Sequence, residues 1–592
     1  MNTQFLHKIR SSLFSPDSRL ELFARSLYHR ISATRLFFWV QDRLVQWSYR
    51  RWRKIQSELE APPMDTFSQQ PLVTFIVDHI HGKLAQLKQT IDSLLAQQDD
   101  QWEVLIIAPH FESILEMKQD PRITFITKPT NLLDIASGDF LVFCQSGDQF
   151  WSAFLTRFYQ AIAKGYRPDV VYTDCEVQQE GSKHPKPLFK PGKVSPELMY
   201  SVNYLSRALI KADAIRTINR KVPSDQDLMA QEFDILLMLY ENNLNFHHLP
   251  YLLLSQNDWA TLLNQKNLVN VLSDHLHRVG LSSISNVRQE NCIQIKWKTP
   301  NPAVSIVILT KNHYALLKTL LESISSQSYD QEYEIILVDN NSDDSKVLNY
   351  YRELEKVPNL QIVPYPKPFN YSEAINLGVS QASFDFVLLL NDDMQVASPG
   401  WLSELSQWAL RPEIGVVGAK LIRANHIIQH MGIIMGLVGF VGHIYLNAPE
   451  HYHGLWGSSD WYRNVIAVTG ACQMMRREVF DQVGGYNPDY RIAFGDIDFC
   501  RRVYELGYRN LVTPFAKLYH YEGQTRGYVT PIGDILKGYE EFAPYLLEDD
   551  PYFSPNLTYT RIPRCMLKAS AHADRIAQIE ARKQFYLKKD RK

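Results

Sequence analysis

The stretch LLLNDDMQV, Leu388 to Val396, is an apolar run that stops abruptly in two adjacent carboxylates, Asp392 and Asp393. Such a run predicts a parallel strand buried on both faces, and the carboxyl end of such a strand is where open α/β sheets hold their ligands. Two anionic oxygen donors at that place suit a hard divalent cation, and the cation suits a diphosphate. Taken alone, the same letters serve equally well as an acidic turn capping the next helix. The surrounding chain separates the two readings.

Working outward, the strand belongs to a series that occurs twice. Leu72–Val77 (LVTFIV) matches Val304–Leu309 (VSIVIL), Trp102–Ile107 (WEVLII) matches Tyr333–Val338 (YEIILV), and Phe140–Cys144 (FLVFC) matches Phe386–Leu390 (FVLLL). Helical spacing fills the gaps, at Leu84–Leu95 in one copy and Ala315–Ile324 in the other. A repeat of roughly 230 residues is a duplicated domain, not a solenoid. Alternating β and α units of this kind predict an α/β fold with a mostly parallel sheet in each copy. The expected organisation is an arm over 1–63, a first domain over 71–260, a second over 300–530 and an extension over 531–592.

The copies differ where chemistry would sit. After its second strand the later copy has Asp339, Asn340, Asn341, Ser342 and Asp343, a polar loop suited to a base and ribose, whereas the earlier copy has Ala108, Pro109 and His110. Opposite Asn391, Asp392 and Asp393 the earlier copy has Gln145, Ser146, Gly147 and Asp148. One carboxylate among neutral neighbours holds Mg²⁺ poorly. The first domain is therefore expected to be degenerate and non-catalytic.

Composition bounds the function classes. The chain has 592 residues, 45% of them hydrophobic, and a formal net charge of −2, so it can build real cores and carries no basic footprint for nucleic acid. Its six cysteines lack CxxC or ladder spacing, which favours a reducing compartment over a zinc site. The longest apolar stretch, Ile433–Leu446, is broken by Gly436, Gly439, Gly442 and His443 and falls short of the roughly 20 residues of a membrane span. A cytoplasmic location is expected. Residues 1–54 nevertheless hold eleven Lys and Arg against three Asp and Glu, interleaved with Phe37, Phe38, Trp39, Trp47, Tyr49 and Trp52. Apolar residues at Leu20, Phe23, Leu27 and Ile31, then Val40, Leu44 and Trp47, follow helical spacing. Such an amphipathic pair either lies peripherally on the anionic inner face of a membrane or packs on its own catalytic body.

Further motifs continue in order: SIVILTKN (Ser305–Asn312), EIILVDNNSDD (Glu334–Asp344), PFNYSEAINLG (Pro368–Gly378), PGW (Pro399–Trp401), VGAKL (Val417–Leu421), IIQHMG (Ile427–Gly432), VTGAC (Val468–Cys472), GGY (Gly484–Tyr486), FGDIDFCRRVYELGYR (Phe494–Arg509) and TPFAKLYHYEGQTRG (Thr513–Gly527). With them, Val304 to about Gly527 resembles a family 2 glycosyltransferase of GT-A fold, of the bacterial type that assembles O-antigen and related surface polysaccharides. The earlier copy resembles the same fold more faintly, through VVYTD (Val170–Asp174) and FKPGKVSPELM (Phe189–Met199). The resemblance implies tandem GT-A, Rossmann-like nucleotide-diphospho-sugar transferase domains with a helical arm.

Sugar transfer expels a nucleoside diphosphate, so a cation must offset the charge growing on its phosphates. Asp393 is the expected direct ligand, with Asp392 beside it on metal or ribose, and the resemblance adds His520 as third ligand. Imidazole suits Mn²⁺ better than Mg²⁺. Thr310, Asn312, Asp339 and Asn376 are expected at the nucleotide. An acceptor hydroxyl also needs a general base. Asp496 and Asp498 open a helix with the apolar stripe Phe499, Cys500, Val503 and Leu506, and only one of them can point along a given direction. The resemblance gives the base to Asp496, preceded here by Gly495 where the family commonly has Asn or Glu; that departure puts acceptor preference in doubt. Gly470 permits close approach of a sugar. Cys472 is expected to pack and not to attack, since no base neighbours it.

The expected activity is thus an inverting, metal-dependent hexosyl- or rhamnosyl-type transfer from a nucleotide-diphosphate sugar to a glycan, especially a lipid-linked one. The alternatives are a bifunctional enzyme whose first copy uses Asp148, Asp174 and Asp234, and a non-catalytic scaffold that binds glycan or assembly partners.

Overall fold

The computed structural model describes residues 34–58, 70–108, 120–127, 131–178, 185–218, 227–257, 266–281, 283–287, 292–521, 530–560 and 568–590. The first part of the arm, the Ala61–Pro63 linker, Pro109, His110 and the end of the last motif (residues 522–527) lie outside them.

Two large sheets share one plan. From one edge, the first runs Ile123–Ile126, Trp102–Ile107, Val73–Asp78, Phe140–Gln145, Leu209–Lys211, Val170–Gln178, Phe246–Asn257 and Gln149–Phe150. The second runs Leu360–Pro364, Tyr333–Asp339, Val304–Thr310, Phe386–Asn391, Cys472–Arg476, Ile414–Ile422, Arg509–His520 and Met394–Val396. The first four strands of each are parallel, and even the register repeats. Val73 stands opposite Trp102 and Phe140, and Val304 stands opposite Tyr333 and Phe386.

The central strand Val304–Thr310 explains why these segments are strands. Ile306 and Ile308 face a cluster with Leu317 and Leu320 of the helix Tyr314–Ser325, while Val307 faces the opposite cluster with Ile375 and Val379 of the helix Tyr371–Ser380. β-Branched and apolar residues at both parities satisfy a sheet covered on both sides. Gly378 lets the second helix sit on that sheet, since a Cβ there would meet Val307 Cγ1 at 2.4 Å.

The copies are joined by polar contacts between buried and half-buried groups. Ser195 Oγ donates to Asn464 Oδ1 (2.6 Å), the Tyr462 backbone N–H donates to Ser201 Oγ (2.8 Å), and Arg509 pairs with Glu197 (2.7 Å). The C-terminal extension reaches the first copy. Asn556 Nδ2 donates to Asp174 Oδ2 and to the Pro250 carbonyl, each at 2.8 Å. Its end is the helix Lys568–Asp590, where the buried Arg575 donates to Asp549 Oδ1 (2.7 Å).

The described part of the arm is the single helix Arg35–Glu58, and it rests on both copies. Phe38 meets Tyr452 edge-on, while Trp52 meets Phe189 and Arg53 pairs with Glu176 at 2.6 Å. Packing on the body, one of the two expectations for the arm, thus accounts for one face of this helix.

Glu197 is fully enclosed, so losing its counter-charge strands a buried carboxylate. Arg509→Ala is expected to cost about 3–5 kcal/mol, read as a lowered thermal midpoint. The double variant Arg509→Met with Glu197→Gln should recover most of that loss.

Candidate active site

The strand Phe386–Asn391 ends where its Asn391 N–H donates to the Ala471 carbonyl (3.1 Å), and the chain turns at Asp392 and Asp393 before entering Met394–Val396. That short strand pairs antiparallel with the end of Arg509–His520, placing Met394 opposite His520. The pairing brings His520 Nε2 to 3.3 Å from Asp393 Oδ1, both side chains being buried. Asp392 turns the other way. Its Oδ2 accepts from Thr310 Oγ1 (2.7 Å) and lies 2.8 Å from His313 Nδ1. The hydrogen bond to Asp392, with the charges of Asp392 and Asp393, raises the His313 pKa against the opposing effect of burial.

Among the described residues no three His, Cys, Asp or Glu side chains converge on one cation position. Consecutive residues after a strand leave in opposite directions, so Asp393 joins His520 while Asp392 joins Thr310 and His313. A carboxylate and an imidazole still suit a cation that takes its remaining donors from a diphosphate. His520 Nδ1 is buried and has no hydrogen-bond partner among the described residues.

The polar loop after Tyr333–Asp339 sits alongside, since Thr310 and Asp339 are register partners. Asp339 accepts from Tyr351 Oη (2.9 Å) and from the Ser342 N–H. Asn312, with φ of 55°, spends its amide on this loop. Its Nδ2 donates to Asp343 Oδ1, and its Oδ1 accepts from the Asp343 and Asp344 N–H groups. Asn376 donates to the Tyr486 carbonyl (2.8 Å) and accepts from the Tyr486 N–H (2.9 Å), so both ends of its amide meet the Gly484–Tyr486 turn.

Asp496 lies in the first turn of the helix Gly495–Glu505, which follows Phe494 in a left-handed conformation (φ 67°) that non-glycine residues rarely adopt. Its Oδ2 accepts from the Gly470 N–H (2.7 Å). Asp498, on the same turn, is buried and held by Arg501 (2.8 Å) and Arg502 (2.9 Å), which removes it from any reaction. Gly470 is needed at this contact, because a Cβ would meet Asp496 Cβ at 3.1 Å and the hydroxyls of Tyr371 and Tyr486 at 3.3 Å. Tyr371 then closes the circuit. Its hydroxyl lies 3.2 Å from the Gly470 carbonyl and 3.3 Å from Asn391 Oδ1. One phenol thus joins the end of the strand that precedes Asp392 to the loop that meets Asp496.

Sequence reasoning missed Tyr371, His313 and His430, although all three lie in or beside the quoted motifs. His430 is fully buried, 2.7 Å from His443 through their Nδ1 atoms, and its Nε2 accepts from the Thr469 N–H at 3.4 Å. Burial pushes its pKa well below the usual value, so it is a neutral prop under the Thr469–Gly470 loop. Cys472 is buried with its pKa pushed up to about 12 by desolvation, consistent with packing.

In the first copy the corresponding place is filled. Arg207 Nε donates to Asp148 Oδ2 at 2.7 Å, with both side chains fully enclosed. Gln149 pairs with Ser255 where Met394 pairs with His520, and Ser255 is spent on Glu176. Asp174 accepts from the Lys190 N–H, from Asn556 and beside His248, while Asp234 pairs with Arg278.

Residues 305–484 match the model of glycosyl transferase family 2. An uncharacterized protein of Sinorhizobium fredii is 31% identical over 532 residues, covering 83% of this chain and 58% of its own length. The O-antigen biosynthesis protein RfbC of Myxococcus xanthus is 29% identical over 525 residues, covering 83% and 41%. An N-acetylglucosaminyl-diphospho-decaprenol L-rhamnosyltransferase of Mycobacterium tuberculosis is 24% identical over 248 residues, covering 38% and 77%. The chain spans about half the length of the first two of these relatives.

Tyr371→Phe preserves the ring and deletes the bridging hydroxyl. It is expected to leave the fold intact and lower stability by about 0.5–1.5 kcal/mol, measured by denaturant unfolding. A loss well above that range would assign Tyr371 a role in holding the domain together.

Proposed function

We propose that this chain, whose residues 305–484 form a glycosyl transferase family 2 domain, is an inverting glycosyltransferase that moves a sugar from a nucleotide-diphosphate donor onto a growing, lipid-linked surface glycan. The single observation that carries the reading is the Asn391–Tyr371–Gly470 connection, which supports Asp393 and Asp496 acting on one substrate pair. The names of the relatives support the acceptor class, O-antigen in one and a lipid diphosphate in another.

Asp393 and His520 would hold a divalent cation, Mn²⁺ suiting the imidazole, and that cation would supply charge neutralisation at the leaving diphosphate. Thr310 and His313 orient Asp392 toward the donor, and Asp339 faces the same strand ends for the nucleoside. Asp496 takes the proton from the acceptor hydroxyl as it attacks the anomeric carbon, a displacement that inverts configuration there. Its carboxylate is positioned for this by the Gly470 N–H, while Asp498 is neutralised. The buried pairs at Asp148, Asp174 and Asp234 favour one active copy over a bifunctional enzyme, with the first domain as scaffold.

Purified protein incubated with Mn²⁺, a panel of nucleotide sugars and lipid-linked acceptors should release nucleoside diphosphate and form a product of inverted anomeric configuration. Asp496→Asn should lower kcat about 10²- to 10⁴-fold with little change in KM. Asp393→Ala should abolish every transfer. A second linkage that survives Asp393→Ala would favour the bifunctional alternative, and calorimetry without metal-dependent nucleotide binding would favour the scaffold.

A further inference from the structure

The helix Arg35–Glu58 has two apolar faces, and the body covers one of them. Phe38, Val45, Tyr49 and Trp52 are buried, whereas Leu36, Trp39, Val40, Leu44 and Trp47 stand 43% to 72% exposed. Their spacing of three and four residues aligns the exposed set in one stripe along the helix. Apolar side chains scattered singly over a surface need no partner, but a contiguous stripe with two tryptophans marks a contact face.

The charges along the stripe identify the contact. Arg43 lies over the Trp39 ring at 4.9 Å and Arg51 over Trp47 at 5.9 Å, and exposed Arg50 and Lys54 extend the row. Between Leu36 and Gln56 the one acidic residue is Asp42, and it accepts from Tyr452 Oη (2.7 Å), away from the stripe. Pairing this face with its own copy would set Arg43, Arg50 and Arg51 against themselves. No helix among the described residues is long and apolar enough to cross a membrane. Indoles flanked by guanidinium groups on a helix lying along the surface match the headgroup level of a bilayer, where the rings sit at the interface and the cations meet phosphates.

We propose that the outward stripe of this helix docks the protein on an anionic phospholipid surface. The inference goes beyond the reaction proposed above and does not depend on it. Docking through this helix leaves its inner face on Tyr452 and Phe189, so the bilayer lies beside both copies while the body stays in water.

Co-sedimentation of the full chain with vesicles of phosphatidylcholine plus phosphatidylglycerol, against phosphatidylcholine alone, tests this. Binding to the anionic vesicles is expected, and to be about tenfold weaker or more without the anionic lipid or at high salt. Trp39→Ser with Trp47→Ser, and separately Arg43→Gln with Arg50→Gln and Arg51→Gln, should each reduce binding about tenfold. The thermal midpoint should stay put in both, because none of these side chains is buried. Absence of binding to anionic vesicles overturns the proposal, as does undiminished binding by both variants. So does a concentration-dependent oligomer that the tryptophan variant abolishes, since the face would then belong to a second copy.

Discussion

A carboxylate at the end of a strand buried on both faces must be compensated within the protein or by something it binds, because water reaches it poorly. Asp392 and Asp393 stand at only 6% and 4% exposure, and the rest of the site is arranged around that constraint. Thr310 and His313 hold the first, and His520 approaches the second across an antiparallel pair of strands. The duplicated domain meets the same constraint at Asp148 with Arg207. The two solutions differ in consequence. A guanidinium stays protonated and cannot be a ligand, so the first site is closed by its own counter-ion. An imidazole can offer a nitrogen lone pair, so the second keeps the capacity to exchange its contact for a cation.

The first domain also carries contacts to the rest of the chain. Sheet order and register are the same in the two copies, yet the first contributes Glu197, Ser195, Ser201 and Asp174 to contacts with the second copy and the C-terminal extension. Asp174 is the clearest case. It gathers a backbone N–H, His248 and Asn556 around one buried side chain. The extension and the arm then add contacts that neither copy makes alone.

Much of this was legible in the sequence because it depends on local pattern. The apolar runs at Leu72–Val77 and Val304–Leu309 specify buried parallel strands wherever they occur, and their recurrence in order announced the two sheets. The carboxylate pair after Leu390 located the site because strand ends locate ligands in such sheets. The allocation of individual side chains was not legible. Asn376 and Tyr486 are 110 residues apart, and Tyr371 and Gly470 are 99 apart. No spacing rule connects them. Adjacent aspartates diverge, and His313 meets the one that turns away.

The departure at Gly495, which puts acceptor preference in doubt, lies where the packing is tight. A Cβ at Gly495 would meet Ser372 Oγ at 2.8 Å and the ring of Tyr486 and Cβ of Tyr490 at 3.5 Å. Ser372 is itself fixed, donating to the Tyr490 carbonyl at 2.6 Å, and it adjoins Tyr371 on the helix that bridges both acidic centres. A side chain at 495 would therefore press on the helix that carries Tyr371, whose hydroxyl meets both the Gly470 carbonyl and the end of the strand at Asn391.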